Sequence, residues 1–413
     1  MAFFLGVFVA LAVLAAPSAA RSDATRTAES GLVASVRSHA ISRCGCALQG
    51  DPELNAAARE YSEIVASGAA LDAHGVLRQS LSARGVLDPF PYVFYGSAPP
   101  ERFGEVEERL LAQLARLPEA EIRLYTHVGI GIHARTRRRF LTRQVEWYVT
   151  VLLTQRAVSY SPLPRDPRPG ERFLFEGEVH APFREPQVLL TRPDGNTDVL
   201  DNFAVEPRRF RTYVCFGTQP GNYQLEIMGR YDMGPRVLGL ASLNLRQPGE
   251  PSHYDVLLTA ARSGTLVASA PRAAPPPASV ADATALLFEL VNRDRRRAGV
   301  PVLVEYAPLS AVARSHSEDM RDRGFFAHVS PRTGRLVERA ESAGIAYVRI
   351  GENIAVGQNV REAQEALMRS PGHRMNLLDP EFTHLGVGIA FETDAQGRQR
   401  VFVTENFLVP PSD

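Results

Sequence analysis

The sequence predicts a mixed α+β protein, in which an α+β domain lies at each end of the chain and an all-β domain lies between them. Helical and strand-like patterns occur together in residues 30–157 and again in residues 283–413, whereas residues 158–261 hold short β-type runs between turn signals. The length of 413 residues is too great for one ordinary core, and the 45% hydrophobic and 22% charged content is typical of globular chains. We therefore expect two to three folded domains.

The pattern of residues 1–20 predicts a secretion signal. An apolar run over residues 3–15 is followed by the small residues of a cleavage site at 17–20. The run is shorter than the ~20 residues that span a bilayer, and no later segment is long and apolar enough to do so. We expect a mature chain without a transmembrane segment that is secreted, periplasmic or held in the cell envelope.

Residues 30–157 predict two helices followed by two strands. Apolar residues recur at helical spacing over 52–67, and again over 103–117 before Pro118. Residues 127–133 and 145–153 are strand-like. We expect the Arg-rich residues 135–139 between them to form a solvated hairpin loop.

Residues 158–261 predict a β-sandwich of immunoglobulin-like size. Several short strand-like runs within roughly 100 residues, separated by Pro/Gly turn signals, are typical of such a sandwich. The runs cover residues 173–179, 187–191, 212–216, 223–228 and 237–245. No group of reactive side chains stands out here, so we expect a spacer or a module that binds a protein partner.

Residues 262–282 predict an extended Pro/Ala-rich linker, after which a new α+β domain begins at residue 283. Asn359 and Glu362 form a capping-box-like start for one of its helices. The predicted elements are helices at 283–297, 308–323 and 359–370 and strands at 386–391 and 400–408.

Charge and cysteine content limit the partners and the compartment. The 46 basic residues, all of them Arg, balance 46 acidic residues, so no bulk attraction to nucleic acid or an anionic membrane is expected. In an oxidising compartment Cys44 or Cys46 can pair with Cys215, which leaves one thiol over. A two-cysteine metal site is the less favoured alternative, and spacing does not decide between these pairings.

The two end domains are predicted to be copies of one another. Three blocks recur in the same order at nearly the same spacing, and the first shows six identities in ten residues. The first copy lacks counterparts of Gly351-Glu352-Asn353 and of residues 370–376, so we interpret it as a copy without the site. The matching blocks are 54–63 with 309–318, 125–132 with 382–389, and 147–150 with 401–404.

Three polar residues of the last domain are candidate site residues. His328, Glu352 and His373 each lie beside Gly or Pro, where a chain turns and presents a side chain. We expect them to lie on three separate turns that only the fold can bring together.

The last domain, over about residues 283–410, resembles the bacterial branch of the CAP superfamily, which is named for cysteine-rich secretory proteins, antigen five and pathogenesis-related proteins. The resemblance implies a three-layer α-β-α sandwich with a cleft of histidines and glutamates, and it makes the first domain a degenerate CAP-like copy. Leu367 departs from the family, which usually carries Trp there, and a second acidic residue of many members has no clear counterpart. The motifs are His328-Val329-Ser330-Pro331, Gly351-Glu352-Asn353-Ile354, residues 370–376, Phe382-Thr383 with Gly386-Val387-Gly388, and a closing strand through Thr404 and Phe407.

The chemistry of these residues permits two roles. Two neutral imidazoles and a carboxylate are sufficient ligands for Zn²⁺ or another divalent cation with an open water position, and His328, Glu352 and His373 supply that set. The same three residues are candidates for general acid–base catalysis. No serine or cysteine nucleophile is evident, and we interpret His316 and His384 as structural.

Four further residues are candidate ligand-binding groups: Asn353, Ser370, Arg374 and Asn376. Turn capping is the alternative for Ser370, and bracing of the turn is the alternative for Arg374 and Asn376.

The leading functional hypothesis is an exported binding module, in which the cleft takes a divalent cation or a small ligand such as a lipid or cell-wall component. One rival is a secreted metal-assisted hydrolase of peptides or cell wall. The other is an adhesion or scaffold protein that acts through the β-sandwich. Members of the family are associated with lipid or sterol binding, cell-wall association and disputed protease activity, so the resemblance leaves enzymatic activity open.

Overall fold

The structure is a computed structural model that describes residues 18–411 with short gaps. The predicted signal segment up to residue 17, most of the predicted linker and the turn at 394–398 lie outside the described residues. The gaps are 68–72, 90, 116, 118, 140–141, 165–166, 233, 247–249, 252–254, 257, 260–276, 278 and 394–398.

The chain divides into two compact units. Unit 1 comprises Met1–Gly177, Val214–Tyr223 and Leu238–Arg272, and unit 2 comprises Glu178–Tyr213, Gln224–Val237 and Ala273–Asp413. Helices and strands occur in the described residues of both, so the α+β class is confirmed. No helix among the described residues is long and apolar enough to cross a membrane.

Unit 1 begins with an α+β arrangement around a four-stranded sheet in the order β1-β3-β4-β2. Strand β1 runs parallel to β3, and the other pairs are antiparallel. The helices are α1 (Ser18–Cys44), α2 (Pro52–Ser67), α3 (Ala73–Ala83), α4 (Phe103–Leu114) and α5 (Glu119–Ile122), and the strands are β1 (Gln49–Gly50), β2 (Tyr92–Ala98), β3 (His127–Arg139) and β4 (Thr142–Thr154).

One expectation for this region was wrong. The Arg-rich residues 135–139 are not a loop but the end of β3, which pairs with β4 as far as Arg139 and Thr142. The cysteine pairing, which the sequence leaves open, is Cys44 with Cys46 across a Cα–Cα distance of 5.2 Å, and Cys215 is free and exposed.

Helix α2 lies directly on strand β3 because two glycines leave room for it. A Cβ atom at Gly129 would lie 2.3 Å from the Cβ of Leu54, and one at Gly131 would lie 2.0 Å from the backbone nitrogen of Arg59. Such distances are below van der Waals contact, so any side chain at these positions would force the helix away from the sheet.

Between residues 158 and 245 the regular elements of the described residues are strands, as the sequence predicts, and two of them, at 158–160 and 197–200, were not predicted. In unit 2, β7 pairs antiparallel with both β8 and β10. The strands are β5 (Val158–Tyr160), β6 (Arg172–Val179), β7 (Arg184–Thr191), β8 (Thr197–Leu200), β9 (Arg209–Cys215), β10 (Gly221–Tyr231) and β11 (Gly234–Leu245).

The rest of unit 2 repeats the element order of the first sheet. Its sheet has the order β12-β14-β15-β13, with β12 parallel to β14 and the other pairs antiparallel. The helices are α6 (Val280–Arg297), α7 (Ala307–Arg323), α8 (Leu336–Ser342), α9 (Val360–Arg369) and α10 (Pro371–Leu378), and the strands are β12 (Val304–Glu305), β13 (Arg349–Gly357), β14 (His384–Thr393) and β15 (Gln399–Val409).

The predicted helix boundaries match the local capping chemistry. The side chain of Asn359 accepts a hydrogen bond from the Glu362 nitrogen at 3.0 Å and starts α9, and Ser279 does the same for α6. Gly324 ends α7 in the left-handed conformation, with φ of 64°.

Neighbouring residues of β15 pack into different cores. Val401 and Val403 lie in the core that includes residues of α6 and α9, whereas Leu408 packs with residues of α7 and α8. Leu367, which replaces the usual Trp, is 2% exposed within the first of these cores.

The internal repeat is visible in matched contacts within each unit. Ser62 of α2 bonds to the Gly131 carbonyl and to Thr150, and Ser317 of α7 bonds to the Gly388 carbonyl and to Thr404. Together with the shared strand order, these equivalent buried bonds support the prediction of two copies.

Candidate functional site

Glu352 and His373 do not lie on turns, contrary to expectation. Glu352 is in the middle of β13, opposite Asn406 of β15, and His373 is in the first turn of α10. The glycine before Glu352 leaves room for a neighbouring ring, because a Cβ at Gly351 would lie 3.0 Å from the ring of Phe382. His328 lies between α7 and α8 outside regular structure.

His328, Glu352 and Arg339 form one ion-paired cluster. His328 Nδ1 lies 3.0 Å from Glu352 Oε1, and Arg339 donates to Glu352 Oε2. The side chains of Arg339 and Glu352 are only 4% and 5% exposed. Burial acts to raise the pKa of Glu352, but the hydrogen bond from His328 and the charge of Arg339 hold that pKa below its usual value.

Arg339 also orders the chain around His328. Its Nη1 donates to the carbonyl oxygens of His328 at 3.1 Å and Gly334 at 2.7 Å. One guanidinium group therefore fixes both the carboxylate and the backbone that carries the histidine.

His316 adjoins this cluster as a buried neutral side chain. It is 1% exposed, and its Nε2 lies 3.0 Å from the Ala327 carbonyl oxygen. Burial lowers the pKa of His316 to about 4, against the opposing charge of Glu352. The contact with Ala327 holds the segment that leads into His328, which agrees with a structural role.

Asn353 ties strand β13 to helix α10. Its Nδ2 donates to the His373 carbonyl oxygen at 3.0 Å and to Glu405 Oε2 at 3.2 Å, and its Oδ1 accepts from Asn376 Nδ2 at 3.0 Å. Asn376 also donates to the backbone oxygen of Glu352 at 3.3 Å. Asn353 and Glu405 are fully buried, so this network sets the position of α10 relative to the sheet.

His373 is a neutral histidine with one defined partner. Its Nδ1 lies 2.7 Å from Ser370 Oγ. Burial and then the nearby His328 lower the pKa of His373 to about 3. Ser370 Oγ in turn donates to Glu226 Oε2 at 2.7 Å, so the site includes a carboxylate from β10.

The three predicted metal ligands do not fit a cation in this arrangement. Both oxygens of Glu352 already have partners, and a metal ion would have to displace Arg339 or His328 from them. In the part of the chain that the structure describes, no group of three or more His, Cys, Asp or Glu side chains is placed to share a metal ion. Divalent-cation binding by these three residues stays a prediction, and the proposed function does not require it.

A cavity of about 610 Å³ adjoins this network in unit 2. Two of the predicted ligand-binding residues, Arg374 and Asn376, form part of its wall, whereas Asn353 and Ser370 lie in the buried network. The other lining residues come from the β7–β8 turn and from α6, α9 and α10 with their flanks. They are Asp194, Gly195, Asn196, Thr197, Asp294, Arg297, Ala298, Val300, Arg349, Met368, Met375, Leu378 and Asp379.

The sequence reasoning missed Arg339, Glu405 and Glu226. Arg339 and Glu405 lie within the segment that carries the motifs, and a charged residue inside an apolar strand, such as Glu405 in Val401–Leu408, is a usable signal. Glu226 offers no such signal, because a Glu that alternates with Leu225 and Ile227 looks like the solvent face of a strand.

Comparison with known proteins identifies the family of the domain that contains His328, Glu352 and His373. The model of the cysteine-rich secretory protein family, CAP, matches residues 288–407. This segment contains His328, Glu352 and His373, together with Arg339, Asn353 and Glu405. Residues 288–407 therefore form a CAP domain, and the relatives below place it in the bacterial branch.

Two curated relatives come from Bacillus subtilis (strain 168). The uncharacterized protein YkwD is 43% identical over 113 residues, which is 27% of this chain and 44% of the relative. The uncharacterized membrane protein YlbC is 36% identical over 123 residues, which is 30% of this chain and 33% of the relative. The chain thus spans less than half the length of these relatives.

Among solved structures, an extracellular SCP-domain protein from Bacillus anthracis str. Ames shows a distant similarity. Its TM-score is 0.29 and its identity 20%, over 61% of this chain and 67% of that chain. A similarity this low supports no further conclusion.

Proposed function

We propose that this protein is an exported binding module whose CAP domain takes a small amphipathic ligand that bears a carboxylate or phosphate group. The ligand site is the cavity beside Arg374. A volume of about 610 Å³ falls within the 300–1,000 Å³ range of small-molecule sites.

The observation that carries this proposal is a pair of cations in the cavity wall. Within the described residues, neither Arg297 nor Arg374 takes part in an ion pair, whereas the nearby Arg349 pairs with Asp379 and Glu381. Burial lowers the pKa of Arg374 against the opposing charges of Asp194 and Asp294, so its charge is incompletely solvated and only partly offset by these two carboxylates. An anionic group on a ligand would compensate that charge with hydrogen bonds of roughly 1.5–3 kcal/mol each.

The apolar part of the wall favours an amphipathic ligand over a bare anion. Met368, Met375 and Leu378 line the cavity together with the arginines. Methionine side chains adapt to ligands of irregular shape. Fatty acids and acylated or lactyl-peptide cell-wall fragments combine a carboxylate with such an apolar part.

The chemistry of His373 supports binding over hydrolysis. A general base works best when its pKa lies near the operating pH, and the pKa of His373 lies at about 3. Glu352 is ion-paired with Arg339 and hydrogen-bonded to His328, which suits a carboxylate that holds structure. Metal-assisted hydrolysis is therefore the less supported alternative.

Calorimetric titration of the full chain tests the proposal. N-acetylmuramyl dipeptide and dodecanoate, each with one carboxylate, are the probes, and Arg374→Gln is the test variant. We expect at least one probe to bind the wild type, and roughly tenfold weaker binding in the variant, equivalent to about 1.4 kcal/mol. Arg296→Gln is the control, since Arg296 is an exposed neighbour paired with Glu289. Equal affinity in both variants, or binding of neither probe, would reject the proposal.

A protein-binding role for the β-region is a second candidate with its own observation. Phe203, Val205 and Tyr213 are 59%, 94% and 41% exposed, and the rings of Phe203 and Tyr213 contact each other. Exposed aromatic groups of this kind are enriched at interfaces. Binding of a cell-envelope protein that is lost in Phe203→Ser, while probe binding persists, would support this role.

We also propose the finer architecture that the sequence predicts. The separate cores on either side of β15 support a three-layer α-β-α sandwich for the CAP domain. The seven strands β5–β11 support an immunoglobulin-like sandwich. The apolar run at residues 3–15 supports export to the cell surface or medium.

A further inference from the structure

Glu226 is a buried carboxylate that reaches the CAP site from outside the CAP domain. It lies on β10, is 0% exposed, and accepts hydrogen bonds from Ser370 Oγ at 2.7 Å and from the Gly372 nitrogen at 2.9 Å. Leu225 and Ile227 on either side of it are also fully buried, so the strand has no solvent face at this point. Met228, on the same side as Glu226, lies beside Gly372.

The site on α10 is built to receive this carboxylate. Ser370 is the N-cap residue of α10, yet its hydroxyl makes no capping bond to its own helix. Glu226 instead accepts the hydrogen bond of the Gly372 nitrogen in the first turn, where the unpaired backbone N–H groups of a helix favour a negative charge. A residue separated from Ser370 by 144 positions thus performs the capping that Ser370 gives up.

The direction of the hydrogen bonds follows from the number of protons. Burial raises the pKa of Glu226 to about 7, so above this pH its side chain is a carboxylate that can only accept hydrogen bonds. The Ser370 hydroxyl has one hydrogen, and it donates this hydrogen to that carboxylate. In its contact of 2.7 Å with His373 Nδ1, Ser370 must then be the acceptor, so Nδ1 carries the proton. In a neutral imidazole with a proton on Nδ1, Nε2 has a free lone pair.

His373 is neutral at any ordinary pH, which leaves the tautomer as its only variable. Burial and the nearby His328 keep the pKa of His373 at about 3. The two tautomers offer opposite groups at Nε2, namely an acceptor or a donor. The choice between them therefore decides which ligand group His373 recognises.

We propose that Glu226 is a positioning residue that acts through Ser370 to fix His373 with its proton on Nδ1 and an accepting lone pair on Nε2. This deepens the proposed function, on which it rests, by adding a requirement to the ligand. A ligand that reaches His373 must offer a hydroxyl or amide N–H to Nε2 in addition to its anionic group. The β-region is then part of the recognition site and not only a spacer.

Glu226→Gln tests this relay with almost no change of shape. The side-chain carbonyl of the introduced glutamine takes the place of the Glu226 oxygen that accepts from the Gly372 N–H. The flipped amide would place its NH₂ group against that N–H, and two donors cannot pair. The amide nitrogen then donates to Ser370 Oγ. Ser370 must redirect its own hydrogen to Nδ1, which reverses the tautomer of His373.

Nitrogen-15 spectra of the full chain, labelled at histidine and recorded at pH 8.5, report the tautomer directly. A His373→Gln sample assigns the signals. We expect a pyridine-type Nε2 and a pyrrole-type Nδ1 in the wild type, and the reverse in Glu226→Gln. Glu178→Gln is the control, because Glu178 is a partly exposed carboxylate of β6 that pairs with Arg208 and Arg209, and the variant should retain the wild-type pattern.

A pyrrole-type, protonated Nε2 of His373 in the wild-type spectrum overturns the proposal, whatever the Glu226→Gln spectrum shows. An unchanged tautomer in folded Glu226→Gln also overturns it. If that variant does not fold, Ser370→Ala decides, because loss of the relay must then abolish the preference for Nδ1–H. These spectra are recorded without ligand, so they report the tautomer of His373 even when neither probe binds in the cavity. Failure of the tautomer proposal is thus distinguishable from failure of the ligand-binding proposal.

Discussion

At the scale of single residues, buried ionisable side chains determine the order of this site. Arg339, Glu352, Glu405 and Glu226 are all withdrawn from water, and each is held by specific donors or acceptors. A buried ion pair contributes little net stability, but removal of one partner leaves the other charge uncompensated. Substitution of one of these side chains should therefore change the free energy of unfolding measurably.

Arg339→Gln should strongly destabilise the CAP domain. It leaves the Glu352 carboxylate buried without its cation, and breaking a buried pair costs about 3–5 kcal/mol. Denaturant unfolding monitored by circular dichroism measures the loss. The control is Arg335→Gln, which removes an exposed pair with Glu338 and should change stability by less than about 0.5 kcal/mol. Equal effects in the two variants would contradict a buried ion pair at Glu352.

Glu405→Gln should stabilise the protein at alkaline pH. Burial raises the pKa of Glu405 to about 8, so between roughly pH 4.5 and pH 8 the folded state holds a proton that the unfolded state has lost. The stability contributed by this group is fully present below the unfolded pKa and is lost as pH rises towards 8, by about 1.4 kcal/mol per unit.

The difference in unfolding free energy between Glu405→Gln and wild type, measured from pH 5 to pH 9, checks this sign. The gain of the variant should grow with pH and level off above about pH 8. A difference that is constant with pH would show that Glu405 does not titrate in this window.

At the scale of elements, close contact between helix and sheet defines both copies of the repeat. Gly131 in unit 1 and Gly388 in unit 2 occupy equivalent positions under α2 and α7. A Cβ at either would lie within 2.0–2.1 Å of a backbone nitrogen of the helix. The element that differs between the copies is α10, since the first copy lacks residues that match 370–376.

Gly131→Ala should therefore destabilise unit 1 by about 1–3 kcal/mol or more, because the clash is with helix backbone. Gly104→Ala is the matched control within α4, where nothing lies within 4 Å of the added methyl group. It should stabilise the chain by about 0.4–1 kcal/mol, since alanine restricts the unfolded state. Thermal unfolding of both variants gives the comparison, and a tolerated Gly131→Ala would contradict the packing of α2 on β3.

The elements that could be predicted from sequence are those with local signals. Asn359 with Glu362 marks the start of α9, and Gly324 marks the end of α7, because capping involves residues three or four apart. Strand β13 was missed because Gly351 was interpreted as a turn signal, whereas it lies within the strand and packs closely against the ring of Phe382. That contact is with a residue distant in sequence.

At the scale of the whole molecule, the CAP domain could be predicted from its motifs, and the family match at residues 288–407 confirms it. The contact of Glu226 with Ser370 could not be predicted, since it joins residues 144 positions apart. The cavity beside Arg374 likewise depends on the turn at Asp194–Thr197.

One probe molecule should bind per chain despite the repeat. The first copy has no counterpart of Arg374 or Asn376, two residues of the cavity wall. Calorimetry with the better-bound probe should give a stoichiometry of one. A stoichiometry of two would mean that the first copy also binds the ligand.

A diffraction structure of the chain with the better-bound carboxylate probe tests most directly whether the cavity beside Arg374 binds an anionic ligand. We expect the carboxylate to lie within hydrogen-bond distance of the guanidinium group of Arg374 or Arg297, with the apolar part of the probe against Met368, Met375 or Leu378. A probe bound in unit 1, or a carboxylate that contacts neither arginine, would contradict this expectation.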